Sequence, residues 1–339
     1  MKAELAPYLE AVEDEIRSIV SSGEPDLSPF YGMMLYHLGW LDARLLPFRA
    51  ESGKRIRPLL CLLSNQAAGG DWRKAVPAAA ALELLHSFSL LHDDIEDQSS
   101  TRRGRATVWK VWGLAHGVNS GDAMLMLAHT AMNRLSEHGV EPSVILNAIS
   151  TFDRCALELC QGQYLDISTE GNLQLTEEAY LRTIGGKTAA LIAASTELGA
   201  MLAGAAVERE HYRSFGRNLG LAFQMVDDLL GIWGDPALTG KPADDDMRCR
   251  KMTLPVIPGL KSPVVGAELK ALYRRPLWTE MEIARAVELV DASGSRNYVQ
   301  SIASEYQARA EMALQQASPR QPAAALLRKL SDSLTARSQ

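Results

Sequence analysis

Long apolar segments with helical periodicity restrict the fold of this chain more than any other feature. Alanine and leucine dominate these segments and alternating β-branched residues are nearly absent, so helices are favoured over strands. The segments at 72–94, 121–139 and 217–233 are each long enough for at least three helical turns. Helices this apolar need partners on most sides. The sequence therefore predicts an all-α fold in which residues 1–339 form a single large helical domain, and two domains are the alternative although nothing marks a boundary between them.

Short polar segments rich in glycine, proline and aspartate separate the predicted helices. They lie at 22–29, 67–72, 137–143, 168–178 and 234–246. Two polar residues have the character of helix N-caps: Thr176, which precedes two glutamates, and Asp122, which follows a serine–glycine pair. We therefore expect helices to begin at both positions.

Bulk composition excludes some classes of function. A net charge of −6 leaves no basic excess to neutralise phosphates, so we expect no nucleic-acid partner. The acidic, amphipathic N-terminus does not resemble a signal peptide. The most apolar stretch, at 188–207, has polar residues at its centre, which predicts a buried core helix and no integral membrane segment. The four cysteines form no CxxC pair, which favours reduced thiols in the cytoplasm.

Two carboxylates end the first apolar helix on a single face. Asp93 and Asp97 are four residues apart, and His86, seven residues before Asp93, is nearly aligned with it. Like charges at this spacing repel, and Mg²⁺ relieves such repulsion because it binds carboxylate oxygens while keeping phosphate or water ligands. Arg102 and Arg103 follow on a predicted loop, where they can reach phosphate oxygens. A solvated helix end would also explain this cluster if it stood alone.

A second pair of aspartates makes the magnesium interpretation stronger. Asp227 and Asp228 lie on another apolar helix, three and four residues after Gln224. Basic residues stand at helix breaks: Gly185 and Gly186 are predicted to interrupt a helix, so that Lys187 projects and backbone N–H groups can bind an anion. Other basic residues near predicted breaks are Lys54, Arg55, Arg57, Lys241 and Lys251. Together these residues predict a cleft that binds phosphates partly through magnesium and partly directly.

With these motifs the chain resembles the trans-prenyl diphosphate synthases, an all-α family that makes geranyl, farnesyl, geranylgeranyl and longer prenyl diphosphates. The matching segments are GKRIRP, HDDIEDQSSTRRG, GGKT, FQMVDD and GKPADDDMRCRKMT, in the family's order over residues 53–253. The resemblance implies a helical bundle around a central cavity, a homodimer, and a head-to-tail (1′–4) condensation of isopentenyl diphosphate with an allylic prenyl diphosphate.

The resemblance also implies roles for individual residues. Three magnesium ions would hold the allylic diphosphate, with direct ligands Asp93, Asp97 and Asp227 and supporting carboxylates Asp94 and Asp228. The residues that match contacts to the allylic diphosphate are Arg102, Lys187 and Lys241, with Thr188 and Gln224 nearby. Those that match the isopentenyl diphosphate pocket are Lys54, Arg57, His86 and Arg103. Lys251 matches a basic position on the segment that closes over the site.

The second motif departs from the family's DDxxD pattern, because Gly231 occupies the place of the third aspartate. Asp235 or the acidic run 244–246 could compensate, and the spacing matches the family's loop carboxylate to Asp246. We therefore expect retained activity with altered metal affinity.

Two residues before the first motif bear on product length. In the family, bulky groups just before this motif form the floor of the product cavity. Two aromatics there are typical of farnesyl makers and one is typical of geranylgeranyl makers. Phe88 and Ser89 occupy these positions, which predicts a twenty-carbon product.

Two other functions are open at this point. A terpene cyclase on a related fold would use the same kind of aspartate-rich magnesium site, but it needs no isopentenyl diphosphate pocket. A weakly active partner subunit that modifies another prenyl synthase would be expected to lack the first motif, which is present here in full.

Overall fold

The structure, a computed structural model, describes residues 2–21, 23–50, 53–235 and 244–335, and these residues are predominantly helical. The sheet in these ranges is a single hairpin of β1 (Thr101–Arg102) and β2 (Arg105–Ala106). The predicted all-α fold class is confirmed. The helices are α1 (Lys2–Ile19), α2 (Ser28–His37), α3 (Ile56–Ala67), α4 (Val76–Glu96), α5 (Val108–Trp112), α6 (Leu114–Asn133), α7 (Pro142–Ser168), α8 (Glu177–Ile184), α9 (Ala190–Leu202), α10 (Arg209–Trp233), α11 (Asp245–Arg248), α12 (Val256–Lys261), α13 (Gly266–Tyr273), α14 (Glu280–Ala292), α15 (Ser295–Gln316) and α16 (Ala323–Thr335).

One of the two predicted helix starts is confirmed and the other is wrong. Thr176 caps α8, and its side chain accepts a hydrogen bond from the backbone N–H of Ala179 at 3.1 Å. Asp122 instead lies inside α6. A Cβ atom at the neighbouring Gly121 would come within 2.2 Å of Nε2 of His92 in α4. This close packing of α6 on α4 favours an unbroken helix through residues whose local sequence resembles a cap.

The chain divides into two compact units that alternate along the sequence. The first unit comprises residues 1–153, 195–209 and 319–326. The second comprises residues 154–194, 210–318 and 327–339. The single domain over residues 1–339 stays a prediction.

Helix α4 is the central element of the first unit's core. It contacts α1, α3 and α6, and the side chains of Leu82, Leu84 and Leu85 are fully buried although they point in different directions. Each such leucine contributes roughly 1.5–3 kcal/mol by leaving water. The helical run Trp72–Glu96 is long and apolar enough to cross a membrane, and 78% of its most apolar window is buried inside the fold.

Two apolar clusters in the second unit border α10. The first includes Met225 and Leu229 of α10 together with Tyr180 of α8. The second includes Ile232 at the end of α10 and Met247 of α11. Helix α10, which carries the second aspartate pair, is therefore fixed by packing along its buried side. The stretch predicted to be a core helix includes α9, whose residues 190–201 are all buried.

Candidate active site

The first aspartate motif lies where α4 ends. Asp93 and Asp97 occupy equivalent positions one turn apart, and Asp97 is exposed. The helix stops because Gln98 adopts a left-handed conformation (φ 52°), while the N–H of Ser99 donates to the carbonyl of Asp94 at 2.8 Å. Together with the bond from the Gln98 N–H to the Ile95 carbonyl (3.1 Å), this is a Schellman termination. The carboxylates therefore stand at a fixed, well-defined helix end.

Arg102 pairs with this motif in the structure. Its Nε donates to Oδ1 of Asp94 at 2.7 Å, and a terminal nitrogen donates to Oδ2 of Asp93 at 2.9 Å. Burial raises the pKa of Asp94 to about 6, although the charge of Arg102 acts in the opposite direction. The second oxygen of Asp94 is buried and accepts no hydrogen bond from the described residues. Arg102, which was predicted to contact the allylic diphosphate, thus partly neutralises the aspartate motif in this structure.

A tight hairpin presents Arg102 and Arg103. The two residues of its turn, Arg103 and Gly104, both have positive φ (52° and 72°), as a type I′ turn requires. Arg105 attaches the hairpin to the end of α2, donating to the carbonyls of Tyr36 (3.0 Å) and Leu41 (2.7 Å). Arg105 is therefore a positioning residue that the sequence analysis missed.

Basic and imidazole groups converge beside the hairpin. His86 of α4 has a pKa well below its usual value because of burial and the nearby charges of Arg57, Arg103 and Arg102. The guanidinium of Arg103 lies against Gly53, where a Cβ atom would come within 2.9 Å of it. The structure thus brings together three residues predicted to bind isopentenyl diphosphate. The fourth, Lys54, is exposed just before α3.

A second imidazole in this cluster, that of His37, was not predicted from the sequence. Burial and the charges of Arg102, Arg103, Arg105 and Arg55 lower the pKa of His37 to about 3. His37 is therefore neutral at pH 7, and its imidazole can donate one hydrogen bond and accept another without adding charge to the cluster. No spacing rule connects this histidine with residues so distant in sequence.

Arg55 has a structural role distinct from its neighbours Lys54 and Arg57. Its side chain is buried and lies 3.0 Å from Oε1 of Glu83 and 3.4 Å from Oε1 of Glu13. It adopts a left-handed backbone conformation (φ 42°) immediately before α3. Two acidic partners hold this cation in the core, which accounts for a basic residue inside the GKRIRP segment.

Phe88 and Ser89 occupy different environments on α4. Phe88 is buried, and its ring lies 4.9 Å from the ring of His92 in an edge-to-face arrangement. Ser89 is half-buried and donates to the carbonyl of His86 at 2.8 Å. Phe88 therefore lies on the flank of α4 that packs toward α6, whereas Ser89 shares the helical face of Asp93.

The two aspartates of the second motif differ in exposure. Asp227 is exposed, whereas Asp228 is buried within hydrogen bonds from Tyr180 Oη, from Gln224 Nε2 (2.9 Å) and from the N–H of Leu254 (3.3 Å). Burial and the nearby charge of Asp246 raise the pKa of Asp228 to about 7. Asp228 thus connects α10 to α8 and to the segment before α12 through these hydrogen bonds, while Asp227 points outward.

The network around Asp228 extends to the GGKT segment. Thr188 donates to Oε1 of Gln224 at 2.7 Å, and Gln224 in turn donates to Asp228. Residues predicted only to be near the allylic diphosphate therefore also orient the second motif.

Gly185 and Gly186 do not break the helix as predicted. Residues Gly185–Ala189 form a π-helical turn in which the N–H of Ala190 donates to the carbonyl of Gly185. A Cβ atom at Gly162 of α7 would come within 2.0 Å of the backbone nitrogen of Lys187. A Cβ atom at Gly186 would likewise lie 2.7 Å from the carbonyl oxygen of Glu158, so Gly186 serves close packing between backbones rather than a break.

Lys187 does project from this π turn. Its Nζ donates to Oδ2 of Asp166 at 2.6 Å, and its side chain is 31% exposed. Asp166 lies one turn after Gly162 on α7, so the glycine contact fixes the distance between the cation and its partner. Asp166 is a further residue that the sequence analysis missed.

Two predicted basic residues belong to the segment after α10. Lys251 is exposed, with Nζ 3.8 Å from Oδ1 of Asp246. Lys241 lies outside the described residues.

The carboxylates fit a hard divalent cation that a substrate helps to bind. Among the described residues, no group of three or more His, Cys, Asp and Glu side chains could hold a metal ion. Mg²⁺ does not need such a cage, because it binds one or two carboxylates and takes its remaining ligands from water and phosphate. One buried oxygen of Asp94 has no hydrogen-bond donor among the described residues, which is consistent with a cation binding close to this carboxylate.

Removal of the Tyr180 hydroxyl tests whether Asp228 depends on its donors. In Tyr180→Phe the buried carboxyl loses one donor, and we expect the free energy of unfolding to fall by about 1–3 kcal/mol in urea titrations. Tyr164→Phe is the matched control, because Tyr164 is 69% exposed. Equal stability of the two variants would contradict the assigned role of Tyr180.

Comparison with known proteins adds independent information. Residues 40–290 match the family model "Polyprenyl synthetase". The chain is 43% identical over 297 residues to a geranylgeranyl diphosphate synthase of Mycobacterium tuberculosis, covering 85% of this chain and 81% of that protein. It is 41% identical over 295 residues to a (2E,6E)-farnesyl diphosphate synthase of Mycobacterium bovis, covering 85% and 80%.

A solved structure has the same fold over nearly the whole chain. The polyprenyl synthase of Caulobacter crescentus, complexed with calcium and isoprenyl diphosphate, aligns with a TM-score of 0.83 and 31% identity. The alignment covers 100% of this chain and 96% of that one.

Proposed function

The chain belongs to the polyprenyl synthetase family of prenyltransferases, and on that premise we propose that it condenses isopentenyl diphosphate head-to-tail (1′–4) with an allylic prenyl diphosphate in a magnesium-dependent reaction. The observation that carries the proposal is that the chain has two kinds of group able to bind a diphosphate, one through metal ions and one directly. Aspartate pairs stand on apolar helices, and a separate cluster around His86 and Arg103 holds positive charge next to neutral imidazoles.

The aspartates are proposed to bind the allylic substrate. Asp93, Asp97 and Asp227 would hold three magnesium ions, which supply charge neutralisation of the departing diphosphate. The side chains proposed to bind that diphosphate directly are Arg102, Lys187 and Lys241, with Thr188 and Gln224 close by. Arg102 and Lys187 are ion-paired with aspartates in the structure, so substrate phosphates would compete with those carboxylates.

The basic cluster is proposed to bind isopentenyl diphosphate without metal. Lys54, Arg57 and Arg103 supply charge, and His86 stays neutral because its pKa is lowered. A neutral imidazole keeps one N–H group, so His86 can donate a hydrogen bond to a phosphate oxygen at pH 7. Lys251, on the segment after α10, would add charge when the substrates are bound.

Heterolysis of the allylic C–O bond gives the diphosphate and an allylic cation. The double bond of isopentenyl diphosphate attacks the cation at C1, and a proton is then lost, for which the released diphosphate is the available base. Apolar side chains keep water from the cation. This chemistry needs no nucleophilic serine or cysteine.

Incorporation of labelled isopentenyl diphosphate tests the proposal. The protein with Mg²⁺ should extend at least one allylic primer of five, ten or fifteen carbons, and products can be separated by length after hydrolysis. Asp93→Asn and Asp227→Asn should each lower the rate about 100-fold or more, because leaving-group stabilisation is lost. Glu96→Gln is the matched control on α4 and should stay within about threefold of the parent.

Two outcomes would contradict the proposal. The absence of incorporation with every primer would favour a non-catalytic partner subunit. Cyclic hydrocarbons formed from the longer primers alone would favour a terpene cyclase.

We further propose that the product is geranylgeranyl diphosphate. Relatives include both geranylgeranyl and farnesyl synthases, so family membership alone leaves the length open. Support comes from the single aromatic before the first motif: Phe88 is buried on the flank of α4, and the smaller Ser89 lies on the face of Asp93.

Substitution of these two residues should change product length in opposite directions. Ser89→Phe places a second aromatic beneath Asp93 and should shift the product to fifteen carbons, whereas Phe88→Ala should give products longer than twenty. Ser89→Ala is the control and should leave the length unchanged. If Phe88→Ala gave no longer product, Phe88 would not limit the chain.

We also propose a cytoplasmic homodimer. Support for the dimer comes from α6, where Leu114, Val118 and Met126 are 57%, 40% and 63% exposed, and from Leu146 of α7, which is 70% exposed. Light scattering during size-exclusion chromatography should give twice the 37.0 kDa chain mass. A mass equal to one chain would contradict the dimer.

A further inference from the structure

Helix α10 lacks a carboxylate at the position one turn after Asp227, where Gly231 stands. A side chain at residue 231 would project from the same face as Asp227, as Asp97 does relative to Asp93 on α4. The first motif therefore has two carboxylates one turn apart on one face, whereas the second motif has Asp227 and then a glycine on the corresponding face of α10.

The carboxylate of Asp246 occupies the space that a side chain at residue 231 would take. A Cβ atom built on Gly231 would lie 2.1 Å from Oδ2 and 2.5 Å from Cγ of Asp246. Asp246 is only 9% exposed, and among the nearby charges it has the largest effect on the pKa of Asp228. Its Oδ1 lies 3.8 Å from Nζ of Lys251.

The position of Asp246 is fixed by its neighbours on α11. Met247 is fully buried in the apolar cluster that includes Ile232, the residue after Gly231. The N–H of Lys251 donates to the carbonyl of Asp246 at 2.9 Å. Asp244 does not share this placement, because it is ion-paired with Arg248 at 2.7 Å.

We propose that Asp246 supplies the carboxylate missing from the second motif, and that Gly231 is required because it makes room for it. The inference rests on the proposed function, since it assigns Asp246 and Asp227 together to the magnesium ions of the allylic diphosphate. Asp246 thereby completes on α10 the arrangement that Asp93 and Asp97 form on α4. Asp235, the other acid considered from the sequence, then has no role in binding these ions.

Exchange of the carboxylate between the two positions tests this inference. Calorimetry would measure the binding of inorganic diphosphate to the full chain with and without Mg²⁺. Asp246→Ala should weaken the Mg²⁺-dependent binding about tenfold or more, an effect of the size seen when groups that orient metal ligands are lost. The double variant Gly231→Asp/Asp246→Ala returns a carboxylate to the same space and should recover binding to within about threefold of the parent.

Two single variants complete the design. Gly231→Ala adds no charge but displaces the Asp246 carboxylate, so it should also weaken Mg²⁺-dependent binding. Asp235→Ala is the matched control and should bind as the parent does. Binding measured without Mg²⁺ should be the same in all variants. Asp246→Asn, which preserves the side-chain shape, replaces Asp246→Ala if the latter fails to fold by circular dichroism.

The outcomes separate this inference from the proposed function. Parent-like Mg²⁺-dependent binding by Asp246→Ala, or failure of the double variant to bind better than Asp246→Ala, overturns the inference while leaving prenyl transfer intact. Conversely, the predicted binding pattern in a protein that incorporates no isopentenyl diphosphate supports the ion site and contradicts the reaction.

Discussion

Carboxylates on apolar helices require nearby cations or hydrogen-bond donors, and the candidate site is organised around this need. Repulsion between aspartates one turn apart costs only about 0.2–0.5 kcal/mol in water. Burial costs more, because it raises the pKa of Asp94 to about 6 even though Arg102 lies beside the carboxyl and acts in the opposite direction. Arg102 offsets part of this cost at the first motif, and Tyr180 and Gln224 do so at Asp228.

The absence of side chains at particular glycines determines where charged groups lie. Gly162 lets α7 touch the π turn, which sets Lys187 beside Asp166. Gly231 leaves space for the carboxylate of Asp246. In both places a Cβ atom would come within about 2 Å of another group, so the glycine is needed for close approach rather than for backbone freedom.

Local sequence signals predicted the elements well but not the contacts between distant segments. Apolar periodicity identified α4 and α10, and the polar residue before two glutamates identified the start of α8. Residues that act through contacts between distant segments were not predicted. His37 lies near the arginine cluster, and Asp166 of α7 accepts a hydrogen bond from Lys187 of the π turn. Asp122 and the GGKT glycines were misinterpreted for the same reason, because tertiary packing overrode the local preference.

Asp93, Asp97 and Asp227 are proposed to hold divalent ions on the diphosphate of an allylic substrate. Crystals grown with Mn²⁺ and an unreactive sulfur-substituted allylic diphosphate would test it through anomalous scattering. We expect manganese peaks in coordination contact with these three carboxylates, with each ion also bound to a diphosphate oxygen. A bound diphosphate contacted only by lysine and arginine side chains, with no ion on the aspartates, would contradict it.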